Sequence, residues 1–202
     1  YNKYRRNVLG GVNTYWLSKP LRTAIQHRHS VSVAGGTEAF RYSLDVNAAM
    51  QPGVMKESEN QTKGVNFNMT YMKDKFTMRA NVSVSESDSK NSPYGSFSQY
   101  TRLNPYYIPT DANGKPQKVL DNNTVSGQST VITNPLYDAT VGIKDLTNSL
   151  NVTTSIGLEY MILKNLRITE QFSYSRGMAG TDRFLPADHT SFELEDDLTR
   201  KG

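Results

Sequence analysis

The chain contains no cysteine. That excludes a disulfide frame, a thiolate metal site and a thiol nucleophile. Long apolar runs are also missing: hydrophobic residues make up 36% of the 202 positions and the mean hydropathy is −0.60. No stretch approaches the roughly 18–20 consecutive apolar residues that a membrane-spanning helix needs. A helical membrane protein is therefore excluded, but a β-barrel is not, because its strands hide their apolar residues by alternation. A dominant sign of charge is lacking too. The net charge is +4, and the 23 Lys and Arg residues are scattered, which argues against a nucleic-acid partner. Tyr1 opens the chain without an initiator methionine or a basic-then-apolar signal segment. The N-terminus is expected to be a cut inside a longer protein, and the polar ending LTRKG is not expected to be a natural last strand.

What the sequence has in quantity is alternation. In residues 29–50, HSVSVAGGTEAFRYSLDVNAAM, the side chains of Phe40, Tyr42, Leu44, Val46, Ala48 and Met50 fall on one face, and Arg41, Ser43, Asp45 and Asn47 on the other. Gly35-Gly36-Thr37-Glu38 reads as the hairpin turn before this strand. The same pattern recurs along the chain. Strands are expected near 27–34, 39–50, 63–72, 76–86, 148–162 and 166–176, with tight turns at Lys73-Asp74-Lys75 and Lys164-Asn165. In the last strand Glu170 interrupts an apolar row of Leu166, Ile168, Phe172 and Tyr174. Either the carboxylate sits on the apolar face or a bulge shifts the register.

The connections alternate as well: tight turn, medium loop, tight turn, very long loop, tight turn, long tail. With strands running up and down, every tight turn lies at one end and every long loop at the other, as in outer-membrane barrels. Strands near 10 residues suit a tilted span of a bilayer. The polar faces carry Arg41, Asp45, Arg79, Asn81 and Glu159, which suit a wet lumen. A soluble β-sandwich is the competing reading. Six strands fall short of the roughly eight that close a bacterial barrel, so the barrel reading requires a slice of a larger one.

The segments HSVSVAGGTEAFRYSLDVN, QPGVMKES, SPYGSFSQYTRLNPYYIP, NPLYDAT and DRFLPADHTSF follow one another in this order. In wording and order they resemble the SusC/RagA family of TonB-linked outer-membrane transporters. The resemblance implies an all-β, antiparallel up-and-down transmembrane β-barrel of roughly 22 strands with an N-terminal plug, of which this chain holds about six strands. It implies TonB-driven import of glycans or peptides in Bacteroidetes, with a SusD-like surface lipoprotein, the TonB complex and outer-membrane lipid as partners. In that frame the whole chain, 1–202, is barrel: 1–26 an outer loop, 27–86 four strands, 87–147 a long extracellular loop, 148–176 two strands and 177–202 a second extracellular loop. The plug lies outside this chain. Gly35-Gly36 would sit at the periplasmic end.

No catalytic constellation stands out, so an enzyme is not expected, and no cofactor is implied. Asp45 and Glu159 are isolated carboxylates on different strands. His27 and His29 share a strand face but have no third metal ligand in sight, and His189 reads as a loop hydrogen-bonding residue. Asp182, Asp188, Glu193, Glu195, Asp196 and Asp197 lack the spacing of a calcium loop and read as a solvated acidic segment. The aromatic loop is the best candidate for binding a ligand or partner. Tyr94, Phe97, Tyr100, Tyr106 and Tyr107 offer flat apolar faces and hydroxyls, and Arg102 adds a guanidinium fork. The alternative for each ring is to pack the loop against itself.

Overall fold

The computed structural model describes residues 2–125 and 128–193 of the chain. Its strands are β1 (His27–Gly36), β2 (Phe40–Pro52), β3 (Glu59–Lys73), β4 (Phe76–Lys90), β5 (Val119–Val125), β6 (Gln128–Thr133), β7 (Lys144–Leu163) and β8 (Leu166–Phe184). Short helices α1 (Asn2–Leu9), α2 (Phe97–Thr101) and α3 (Pro135–Asp138) and single 3-10 turns at Trp16–Ser18 and Thr190–Phe192 lie between or beyond them. Six strands make one antiparallel sheet in the order β1-β2-β3-β4-β7-β8. The hairpin β5–β6 stands apart from it. The sheet is open, with β1 and β8 as its edges.

Register carries the apolar residues of each strand into continuous rows. Val31, Val46, Val65, Val84 and Val152 face one another across five strands. The next row toward the tight turns is Val33, Leu44, Phe67, Val82, Thr154 and Tyr174. Nearest the turns come Phe40, Tyr71, Met78 and Leu158, then Phe76, Tyr160 and Ile168. From the valine row to Phe76 is four two-residue steps of roughly 6.8 Å each, or about 27 Å along the strands. Toward the long loops the band ends in charge, where Lys63 pairs with Glu86 at 3.3 Å.

No second layer of described residues covers this face. Val31 is 65% exposed and Phe172 63%. The buried cluster lies elsewhere, at the long-loop end, where Trp16, Tyr100, Tyr107 and Leu120 pack together. A sandwich would bury the apolar rows against a second sheet; the hairpin β5–β6 does not pair with this sheet and contributes Leu120 to the loop cluster instead.

Several strands outrun their expected ends. β3 begins at Glu59, β4 reaches Lys90, β7 begins at Lys144 and β8 reaches Phe184. The apolar alternation stops about where the expected strands do, but backbone pairing continues through polar residues, as in Glu59↔Lys90 and Lys144↔Phe184. Residues 177–184 of the stretch read as loop at 177–202 are therefore strand. Residues 1–26 and 87–147 likewise contain helices and a hairpin as well as loop. Glu170 keeps its place in the ladder between Ile168 and Phe172, opposite Leu158, and the register shift of β7–β8 lies instead at Met161/Leu163. No bulge relocates the carboxylate. It sits on the apolar face, in the row toward the turns, where a charge costs less than at the middle of a bilayer.

The β1–β2 turn depends on one glycine. Gly36 has φ +139, and a Cβ there would stand 2.0 Å from the Phe40 carbonyl oxygen. Gly36→Ala is expected to destabilise the complete protein by about 1–3 kcal/mol. Gly157→Ala, with open space at its Cβ position, should change stability by less than about 0.5 kcal/mol. Denaturant unfolding of the two variants in detergent checks this, and equal effects would contradict it.

Candidate functional site

The polar face of the sheet is a wall of hydroxyls and carboxamides. Ser32, Asp45, Asn66, Ser83, Thr153 and Ser175 form one row, and Ser43, Asn68, Asn81, Ser155 and Ser173 the next. Neighbouring strands join side chain to side chain. Asn81 Nδ2 donates to Asn68 Oδ1 at 2.7 Å, and Asn68 Nδ2 donates to Ser43 Oγ at 3.3 Å. The Ser32 hydroxyl donates to Asp45 Oδ1, and the Thr153 and Ser175 hydroxyls meet at 3.2 Å. These short side chains leave most of their donors and acceptors facing outward. Toward the turns Arg41 and Arg79 lie in one row, both opposite Thr70, and Glu159 meets Arg167 at 3.8 Å. Such a wall can form hydrogen bonds with a polar solute along its whole length without holding it at one point.

At the long-loop end a cap is built from segments far apart in sequence. The Trp16 indole donates to the Asn104 carbonyl at 2.9 Å, the Thr14 hydroxyl to the Tyr107 carbonyl at 2.9 Å and the Asn7 amide to the Tyr106 carbonyl at 2.8 Å. Asn134 is fully buried. Its amide donates to the Pro109 and Gln117 carbonyls at 2.8 and 2.7 Å, while its Oδ1 caps α3 by accepting from the Leu136 N–H at 3.1 Å. Asp138 accepts from the Thr190 N–H at 2.9 Å and from the Thr190 hydroxyl at 2.7 Å. The cap is thus tied to the turn that follows β8.

The structure divides the expected binding residues. Tyr100 and Tyr107 are buried in the cap core, at 1% and 9% exposure. Tyr100 donates its hydroxyl to the Tyr94 carbonyl at 2.9 Å. Their rings pack the loop against itself, the alternative left open for each ring, and do not face solvent. Tyr94 is half-buried, with Lys56 Nζ 5.6 Å from its ring centroid. Phe97, Arg102 and Tyr106 remain on the surface. His27 and His29 sit side by side on the free edge strand, ring centroids 5.4 Å apart, and among the described residues no group of three metal-ligating side chains occurs. His189 accepts from the Ser191 N–H at 3.0 Å and stands 3.8 Å from Asp138. Asp182 pairs with Lys144 and Glu193 with Lys118; Glu195, Asp196 and Asp197 lie outside the described residues. The sequence reading passed over Trp16, Asn134 and Asp138. An Asn-Pro pair at Asn134-Pro135 and a Ser-x-x-Gln box at Ser96–Gln99 are helix-start signals that would have located α3 and α2.

No family model matches the chain, and no curated protein matches it. Solved structures do. The RagAB peptide transporter matches with a TM-score of 0.70 over 89% of this chain at 17% identity. The RagAB peptide importer in its closed-closed state matches with 0.66 over 84% at 19% identity, and in its open-open state with 0.65 over 87% at 17%. The chain spans about one fifth of the length of those chains, 20%, 19% and 20% respectively. At these identities the likeness is one of fold: an open sheet that superimposes on part of a transporter's barrel.

The cap also carries the shifted ionisations. Burial pushes the Tyr100 hydroxyl well above the ordinary phenol range. The hydrogen bond that Tyr4 donates to Asp121 does the same for Tyr4, and the Glu193 carboxylate holds the Lys118 ammonium above its usual value. In each case the folded state favours the protonated form. The associated stability is complete below the unfolded value, about 10 for tyrosine, and is lost as pH rises through the higher folded value. Absorbance titration at alkaline pH tests this by difference between the complete wild-type protein and Tyr100→Phe. The missing tyrosinate should have its midpoint well above pH 10; a midpoint near 10 would contradict the buried placement.

Proposed function

We propose that the chain is a wall segment and outer cap of an outer-membrane importer of glycans or peptides. The observation that carries this reading is the uncovered apolar band on one face of the sheet, set against a continuous hydroxyl and carboxamide wall on the other. Lipid is the medium that suits the first face and a water-filled passage the second. The aromatic rings near the turns, Phe40, Tyr71, Phe76 and Tyr160, would then form the interfacial girdle on the periplasmic side, and the cap would stand outside the cell. The sequence resemblance to SusC/RagA transporters and the fold likeness to RagAB structures support the same class from independent directions. On this reading transport is energised through TonB, acting on a plug carried outside this chain. A SusD-like lipoprotein then closes over the cap. Phe97, Arg102 and Tyr106, with the accessible edge of Tyr94, are the groups we assign to contact with substrate or lipoprotein. The competing reading, a surface β-domain for binding or adhesion, lacks a layer over the apolar band among the described residues.

The test is a pair of substitutions one residue apart. Phe67 lies in the apolar band and Asn66 in the polar wall. In the complete protein, Phe67→Arg should strongly reduce the heat-modifiable outer-membrane form, since a cation on the lipid-facing side one row inside the edge of the band costs about 1–3 kcal/mol, between the interface and midplane values. Asn66→Arg should assemble normally. Assembly of both, or failure of Asn66→Arg alone, would overturn the proposal.

A further inference from the structure

A cleft of about 400 Å³ lies where the cap meets the polar ends of β7 and β8. Its size is within the range of small-ligand sites. Ser96 and Gln99 of the cap line one side, Asp145 and Arg183 of the sheet the other, with Asp138 and Thr190 closing it. The charges in it are not equally committed. Asp138 accepts two hydrogen bonds from Thr190 and has His189 3.8 Å away. Asp145 accepts from the Asn91 amide at 3.1 Å. Arg183 lies directly opposite Asp145 in the ladder, yet it makes no ion pair or hydrogen bond within the chain among the described residues. The uncommitted charge of the cleft is therefore a guanidinium on the polar face.

We infer that this cleft binds the carboxylate of an entering solute, with Arg183 as its anchor. A guanidinium presents two parallel N–H donors that match the two oxygens of a carboxylate. Asp138 and Asp145 stand beside it, and like charge disfavours a dianion such as phosphate more than a monoanion. Gln99 Oε1 already accepts from the Ser96 N–H at 3.0 Å, and the Gln99 Nε2 amide offers a further hydrogen bond to the rest of the solute. The inference deepens the importer reading and rests on it for the direction of entry: on that reading the cleft is at the mouth of the passage. Two sources share the chemistry, a peptide terminus or acidic side chain and an acidic sugar.

Ligand-observed NMR titrations of the purified complete protein in detergent test the site. The probes are N-acetyl-trialanine, its C-terminal amide, methyl galacturonoside, its methyl ester and inorganic phosphate. At least one acid should bind, its neutral derivative about tenfold or more weakly, and Arg183→Gln should weaken the acid by a similar factor. Arg183→Lys should retain part of the binding. Binding of N-acetyl-trialanine alone assigns the site to peptides, of methyl galacturonoside alone to acidic sugars, and of both to carboxylates in general. Equal binding of acid and neutral derivative, wild-type affinity in Arg183→Gln, preference for phosphate, or no binding by any probe would overturn the inference. Should Arg183→Gln fail to fold, the acid–neutral comparison and Arg183→Lys decide alone. These titrations are read on purified protein, so their failure is distinguishable from failure of the Phe67→Arg and Asn66→Arg pair, which reports assembly in the membrane.

Discussion

None of the described residues covers the apolar band, and the rest of the structure follows from that constraint. Leaving side chains such as Leu44, Val65, Phe172 and Ile156 partly in water forfeits, for each, a part of the about 1.5–3 kcal/mol that full burial of a large side chain gives. A sheet of six strands with both faces exposed gains its order from ladder hydrogen bonds alone and cannot recover that loss in water. The unpaired edges β1 and β8 add rows of open backbone donors and acceptors. Placed as part of a closed barrel in lipid, the same features stop being liabilities. The band meets hydrocarbon, the edges meet neighbouring strands and the polar wall meets water.

The cap obeys different physics. It carries the buried core of the described residues, and its interior is small, aromatic and stapled by hydrogen bonds to backbone carbonyls. Trp16 and Asn134 take part in that stapling, reaching loop carbonyls 88 and 25 residues away in sequence. Leaving the carbonyls bound by Asn134 without a donor would cost about 1–3 kcal/mol apiece. Through Asp138 and Thr190 the cap is fixed to the end of β8, so the cleft holding Arg183 is shaped by two independent parts of the molecule. On the importer reading, a cap held in this way lets a solute make contacts at the mouth without rebuilding the sheet below.

Faces were legible in the sequence because strand alternation is local. Phe40 through Met50 declare which side is apolar with no knowledge of neighbours. The fold class followed from the order of tight and long connections, whereas the strand registers were left open, because they depend on cross-strand partners. Strand ends were less legible. Glu59, Lys90 and Asp182 carry no apolar signal, so pairing that continues past the band leaves no mark in a hydrophobic pattern. The cap was the least legible part. Whether Tyr100 packs inward while Tyr106 stays outside depends on contacts with Trp16 and Leu120, and a ring's composition says nothing of its partners. Arg183 was hidden by the same error as the strand ends, since it fell in a stretch read as loop.

The central claim is that side chains of one parity face lipid and those of the other face water. Single-cysteine spin labels at Tyr42, Ser43, Leu44, Asp45, Val46 and Asn47 along β2, in a complete protein with any cysteine elsewhere replaced, read this directly, and this chain contributes no cysteine of its own. With the complete protein in bilayers, collision with oxygen, which concentrates in hydrocarbon, should be high at 42, 44 and 46 and low at 43, 45 and 47. A water-soluble nickel relaxant should show the opposite phase. Accessibility without a two-residue period, or with the phases exchanged, would contradict the account.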